Sequence, residues 1–283
     1  MINKSTKFLI VGLGLLGGSY ALGLKKEGYY VSAIARRKET IDYALKHNMI
    51  DEGSIEVGNL VSQADVIIFG LYPTTMIDWI LKYQHLFKEN ALLTDVSGVK
   101  SGIVETIQYF LRKDVEFISA HPMAGKENSG IEYANTEMFK HANYIITPTE
   151  KNTQAAIDFS YDLAYTLHFN HIALLSCEEH DHMIGFLSQL THVIAVSLMN
   201  THDNEKLVEY TGDSFRDLTR IAKINETMWS ELFLLNKDIL LEEIDAFIAS
   251  ITHFRNILAS EDVDEMKRLF IQSTNRRNLF DKH

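Results

Sequence analysis

The sequence predicts an α/β fold in its first half and an all-α region after it. Three observations carry this: short apolar runs alternate with amphipathic stretches, a glycine-rich turn follows the first run, and helical periodicity takes over after about Thr149. The apolar runs fall at 7–11, 29–35, 66–70, 91–94, 116–119 and 144–147, with helical-period segments between most of them. Short buried strands separated by helices imply a mainly parallel sheet with crossover connections. Pro73, Pro122 and Pro148 each stand just after such a run, where a missing N–H ends regular structure at little cost. Beyond them, 152–166, 178–201, 204–222 and 226–258 read as helical, and 169–175 reads as one more strand.

Composition limits the rest. With 283 residues, 46% of them hydrophobic, the chain can bury a substantial core, and its length favours two domains, expected at 1–170 and 171–283. A formal charge of -11 argues against nucleic acid and anionic membranes as partners, because polyanions are held mainly by Lys and Arg. An anionic small-molecule substrate must therefore meet a local basic pocket. The single Cys177 excludes an internal disulfide or a Cys-rich zinc site, matches a reducing compartment, and is expected as a small buried hydrophobe. Residues 8–24 carry no charge and follow Lys4 and Lys7, as in a signal peptide, but their regularly placed glycines read as a nucleotide loop. No other stretch reads as a membrane span, so a soluble, cytoplasmic protein is expected.

The first run leads directly into Gly12-Leu13-Gly14-Leu15-Leu16-Gly17 and then an Ala/Leu-rich helical pattern. This is G-x-G-x-x-G between strand and helix. Gly12 permits the tight turn, Gly14 lets a pyrophosphate approach the backbone beside Leu15 and Leu16, and Gly17 lets helix pack on strand. The second strand ends in Ala35-Arg36-Arg37 with no acid in reach of a ribose hydroxyl. Guanidinium groups can grip a 2′-phosphate that a carboxylate would repel, so NADP is expected as cofactor, with NAD as the alternative.

His121, in Ser119-Ala120-His121-Pro122, is expected at the C-terminal edge of the sheet, where it can accept a proton from an alcohol. Ser188 and His192 share a helix face at i, i+4. His180, His182 and His192 do not share one, so no metal is expected. Apolar residues from Trp229 to Phe254 recur at i, i+3, i+4 over some thirty residues, a long helix or a broken pair that requires a partner surface. A homodimer through the C-terminal half follows, with Trp229 as core packing.

These motifs together resemble the prephenate/arogenate dehydrogenase family of tyrosine biosynthesis. The likeness rests on the glycine loop, Asp95-Val96-Ser97-Gly98-Val99-Lys100, His121-Pro122-Met123-Ala124-Gly125, His180-Asp181 with Ser188 to His192, and Asp217 to Ala222 with Met228-Trp229. It implies a Rossmann-like domain followed by an all-α dimerisation domain. The implied reaction is oxidative decarboxylation of prephenate to 4-hydroxyphenylpyruvate, with hydride passing to a nicotinamide. In that reading His121 is the catalytic base, Arg220 grips a substrate carboxylate, His192 and Ser188 line the pocket, and Glu127 orients or gates the substrate.

The sequence also departs from the family pattern. Gly98 stands where relatives usually have a Ser that supports the catalytic His, and Ser97 is the available replacement. Gln189 and Thr191 replace the usual His and Pro, which removes an expected helix bend. Arogenate is the alternative substrate. A cofactor-sensing protein without turnover leaves His121, His192 and Arg220 unexplained. A β-hydroxyacid dehydrogenase would want a Lys in the first long interdomain helix, and 178–201 has none.

Overall fold

The computed structural model describes residues 2–125, 128–203 and 205–280. Its first strands and helices alternate as the apolar runs predict: β1 (Lys7–Val11), α1 (Leu15–Lys26), β2 (Tyr30–Ile34), α2 (Lys38–Lys46), β3 (Glu52–Ser54), α3 (Asn59–Gln63), β4 (Val66–Phe69), α4 (Pro73–Tyr83), β5 (Leu92–Asp95), α5 (Ile103–Phe110) and β6 (Glu116–Phe117). The six strands form one parallel sheet in the order β3-β2-β1-β4-β5-β6. That is the doubly wound dinucleotide-binding order, and its switch point lies between β1 and β4. The strands read as unbroken apolar runs because both faces are covered. Phe8 and Ile10 join one core cluster with Val31, Ala33 and Ile68, while Leu9 and Val11 join the opposite one with Ile67, Phe69 and Leu93. The three-residue β3 escaped the sequence reading, being Glu-Gly-Ser with no apolar signal.

After Phe117 the chain leaves this sheet. β7 (Ser119–Pro122) pairs antiparallel with β8 (Asn143–Thr147), which pairs parallel with β9 (His171–Leu174), reached through α6 (Gln154–Thr166). The expected single, mainly parallel sheet is thus two sheets, and His121 lies on a strand of the second, opposite Ile145.

The helical part begins with α7 (Cys177–Ile184), whose Ser176 and Glu179 form a reciprocal capping box. A π-helical segment at Gly185–Leu190 joins it to α8 (Thr191–Met199), giving one continuous helix over Cys177–Met199. By length and composition this helix could cross a membrane, which the sequence reading did not anticipate. It nevertheless contributes His180, Asp181 and Gln189, all almost completely buried, to a polar network. Then come α9 (Leu207–Tyr210), α10 (Asp213–Thr219), α11 (Glu226–Leu235), α12 (Lys237–Ala259) and α13 (Val263–Arg277). The long apolar stripe is the broken pair: Asn236 separates α11 from α12.

By packing, the chain divides into two compact units, the first ending at Asn236 and the second starting at Lys237. In the second, α12 packs on α13 with Phe254 and Phe270 ring centroids 6.2 Å apart. Leu241, Ile248, Ile251, Ile271 and Phe270 remain exposed there.

Candidate active site

The glycine loop has the geometry its spacing predicts. Gly12 has φ +98°, a region L side chains avoid, and a Cβ there would stand 2.5 Å from the Gly70 carbonyl oxygen. At Gly17 a Cβ would stand 1.9 Å from the Gly12 oxygen, so only glycine lets α1 approach β1. A Cβ on Gly14 would meet nothing within 4 Å, and that open position faces the cavity described below. No acidic residue occupies the first turn of α1, leaving its N-terminal N–H groups available to an anion. These features fit a dinucleotide pyrophosphate. The Gly12 N–H donates to the Ile34 carbonyl at 2.9 Å, which sets the end of β2 beside the loop. Arg36 and Arg37 follow directly, exposed, and neither guanidinium has a hydrogen bond or ion pair among the described residues.

A cavity of about 520 Å³ opens at the switch point, lined by Gly14 to Gly17 on one side and by Gly98, His121, Ser188, His192, Arg220 and Trp229 on the other. Residues distant in sequence thus share one space. Arg220 is exposed at its edge. Glu127 lies outside the described residues.

His121 stands on a buried polar scaffold. One Asp95 oxygen accepts from Ser119 Oγ at 2.5 Å and the Ala120 N–H at 3.1 Å. The other accepts from Lys100 Nζ at 3.0 Å, while Lys100 also donates to the Ala120 carbonyl at 2.7 Å. The pair therefore grips the strand immediately before His121. Lys100 is fully buried, and burial lowers its pKa although Asp95 opposes the shift.

On its other side, His121 Nδ1 lies 2.8 Å from His180 Nε2, and His180 Nδ1 lies 2.7 Å from Asp181 Oδ1. Asp181 further accepts from the backbone N–H groups of Lys100 at 2.9 Å and Ser101 at 2.7 Å. Burial alone would raise the Asp181 pKa, but the bonds from His180 and Ser101 outweigh it and the net shift is downward. Burial pushes His121 well below the usual imidazole value, and the neighbouring His180 and Lys100 push it further. His121 is consequently neutral near pH 7, the form a general base requires.

Ser97, expected to replace the hydroxyl missing at position 98, lines the same cavity as His121. Its Oγ donates to Asp95, lies within hydrogen-bond distance of the Val99 carbonyl and accepts from Lys100 Nζ, which ties this side chain into the scaffold. Gly98 itself is under no backbone constraint. A Cβ built there would lie 3.8 Å from His121 Nε2 and 3.6 Å from Leu232 Cδ1, ordinary contact distances.

The π-helical segment places the remaining wall. A π turn widens the helix and shifts the faces beyond it, and such turns recur at functional sites. Here it buries Gln189, whose side-chain N–H₂ donates to the Leu232 carbonyl at 3.1 Å and whose oxygen accepts from Asn236 at 2.8 Å. Asn236 also donates to the Asp181 carbonyl at 3.0 Å. The Gln that departs from the family pattern thus bonds the helix to α11. His192 Nδ1 lies 2.8 Å from the Ser188 carbonyl, and its ring lies 3.7 Å, centroid to centroid, from that of Trp229. Trp229, expected as core, is partly buried against the core cluster of Leu9, Val11 and Phe69 and also forms a cavity wall beside His192. Glu231 accepts from the Thr74 N–H at 2.7 Å and Asn225 donates to the Tyr72 hydroxyl at 3.3 Å, so α11 is fastened to the N-terminus of α4.

The scaffold residues Asp95, Lys100, His180 and Asp181 belong to motifs visible in the sequence, yet no spacing rule brings them together. The signal for Gln189 and Asn236 is weaker still, since isolated amides in helical patterns are usually solvated.

Residues 20–168 match the model of the prephenate dehydrogenase nucleotide-binding domain, and 176–272 match that of the prephenate dehydrogenase dimerization domain. The prephenate dehydrogenase of Bacillus subtilis is 33% identical over 270 residues, 93% of this chain and 72% of that one. That of Lactococcus lactis is 31% identical over 285 residues, 98% of this chain and 78% of that one. The crystal structure of A. aeolicus prephenate dehydrogenase in complex with hydroxyphenyl propionate and NAD+ superposes with a TM-score of 0.90 at 27% identity, covering 99% of this chain and 100% of the other. Two matched domain models in the right order, relatives matched over more than nine-tenths of this chain and a cavity joining the glycine loop to His121 place this chain in the prephenate dehydrogenase family.

Proposed function

We propose that the protein is a cytoplasmic prephenate dehydrogenase, converting prephenate to 4-hydroxyphenylpyruvate and CO₂ as a homodimer. The observation that carries this reading is one cavity lined by the open backbone at Gly14 together with His121 and Arg220. A nicotinamide cofactor held along the glycine loop would supply the acceptor for the hydride leaving C4 of the cyclohexadienol ring. His121 Nε2 takes the C4 hydroxyl proton as the carbonyl forms. Loss of the ring carboxylate as CO₂ aromatises the ring and makes the step irreversible. The bookkeeping then requires His121 to return its proton to the phenolate oxygen, since the overall conversion releases none.

Arg220 supplies the local cation that a dianionic substrate needs in an acidic protein, through a bidentate carboxylate contact. With Nδ1 donating to the Ser188 carbonyl, His192 presents Nε2 to the same cavity, and Ser188 stands beside it. Glu127 is proposed to orient the substrate from the segment after Gly125. Arg36 and Arg37 beside the glycine loop favour NADP, since a guanidinium can hold a 2′-phosphate in bidentate fashion. The exposed apolar residues of α12 and α13 are the surface a second copy would cover. The domain division is read as 1–170 for cofactor and 171–283 for dimerisation and substrate.

The test is to follow reduced-cofactor absorbance with prephenate and arogenate, each with NADP and NAD. Turnover of prephenate with NADP is expected. Activity with arogenate alone overturns the substrate assignment, and a much higher kcat/KM with NAD overturns the cofactor assignment.

A further inference from the structure

The order of hydrogen bonds behind His121 dictates where its protons sit. Asp181 accepts two backbone N–H groups and His180 Nδ1, and an ionised carboxylate has only acceptors to offer. His180 must therefore carry its proton on Nδ1, which leaves Nε2 as a lone pair 2.8 Å from His121 Nδ1. That nitrogen must in turn be N–H. The neutral His121 is left with its lone pair on Nε2, the nitrogen beside Gly98 at the cavity wall.

We propose that His180 and Asp181 are positioning residues that hold His121 in its base tautomer and take over its charge during turnover. As the substrate O–H bond breaks and the proton binds His121 Nε2, the His121 Nδ1–H bond breaks and an N–H bond forms at His180 Nε2. The positive charge then rests on His180, against Asp181, and both transfers reverse when the phenolate is reprotonated. The groups facing this pair are Asp181 and Asp95, which favour the charge, and Lys100, which opposes it. Burial and Lys100 both penalise an imidazolium at His121, and moving the charge one ring further toward Asp181 relieves that penalty.

This rests on the assignment of His121 as base, and the first measurement does not depend on any substrate. Nitrogen-15 NMR of histidine-labelled protein near pH 7, assigned with His121→Asn and His180→Gln, is expected to find both rings protonated on Nδ1 and bare on Nε2. A neutral His121 protonated on Nε2 overturns the inference. The second measurement is kinetic. His180→Gln can still accept from His121 and donate to Asp181, so it keeps the tautomer but cannot take the charge. Its kcat is expected to fall roughly 10²-fold with cofactor affinity and melting temperature near wild type. Its rates in H₂O–D₂O mixtures should vary linearly with deuterium fraction where the wild type curves. A kcat within twofold of wild type together with an unchanged pH profile overturns the proposal. Should His180→Gln not fold, Asp181→Asn serves: an amide N–H₂ facing His180 reverses the chain and puts a proton on His121 Nε2, visible in the same spectrum. Wild-type protein inert toward prephenate but with the expected tautomers would separate failure of the substrate assignment from failure of this one.

Discussion

The two walls of the cavity are built on opposite principles. The glycine wall is backbone: a run of consecutive residues whose shape follows from where a Cβ cannot fit, at Gly12 and Gly17, and where it is not wanted, at Gly14. The histidine wall is side chain, assembled from β5, β7, the segment before α5, the helix over Cys177–Met199 and α11. A backbone site can be encoded locally, because the same few residues make the turn and bind the ligand. A side-chain site of this kind depends on packing many residues away, and its polar groups must satisfy one another when water is excluded.

That contrast can be broken in four ways. Removing the proposed base should have the largest effect on rate. His121→Asn is expected to keep cofactor binding and lose roughly 10²- to 10⁴-fold in kcat, read by steady-state assay and cofactor titration. In the wild type, kcat/KM should stay level down to pH values well below 6.5, because burial lowers the His121 pKa. The sign for stability is the same: the unfolded state binds the extra proton first, so this contribution is full above about pH 6.5 and is lost as pH falls toward the folded-state pKa.

Next, Lys100→Met strands the Asp95 carboxylate in a dry site and is expected to cost about 3–5 kcal/mol in denaturant unfolding. A loss below about 1 kcal/mol would mean that the scaffold gripping Ser119 and Ala120 is not what holds His121. Arg220→Ala should chiefly raise KM for prephenate, by roughly 10- to 10²-fold if a charged hydrogen bond of about 1.5–3 kcal/mol is lost. A fall in kcat with KM unchanged would move Arg220 from binding to the chemical step.

The smallest changes test the other wall as a pair. Gly17→Ala forces a Cβ against the Gly12 oxygen and should destabilise the fold by about 1–3 kcal/mol. Gly14→Ala, with open space around it, should leave the melting temperature nearly unchanged and weaken cofactor binding. Equal melting temperatures for the two variants would contradict the division of labour between these glycines.

The parallel sheet was legible because apolar runs buried on both faces leave an uninterrupted hydrophobic signature. The short β3 lacked that signature, and the departure of β7 into a second sheet left no mark, since strand pairing partners are not written in local pattern. Ser97 illustrates the limit at the site. Its place beside Gly98 in sequence marks it as the replacement for the missing hydroxyl, and only the structure adds that its side chain bonds to the Asp95–Lys100 pair. Trp229 was legible as a packing residue at helical spacing, yet only the packed structure shows that the same ring also lines the cavity against His192.

By itself, the sequence determined the alternation of strand and helix, the glycine turn, the family resemblance and His121 as the residue of interest. Those depend on local period, on steric exclusion at glycine and on the order of short motifs along the chain. Only the tertiary structure decided that Lys100 and Asp95 grip the strand bearing His121, that His180 and Asp181 lie in line behind it, and that Gln189 and Asn236 bond the helical wall together. Buried polar groups choose partners by proximity in three dimensions, and the cost of leaving them unpaired, not any spacing in the chain, determines which residues meet.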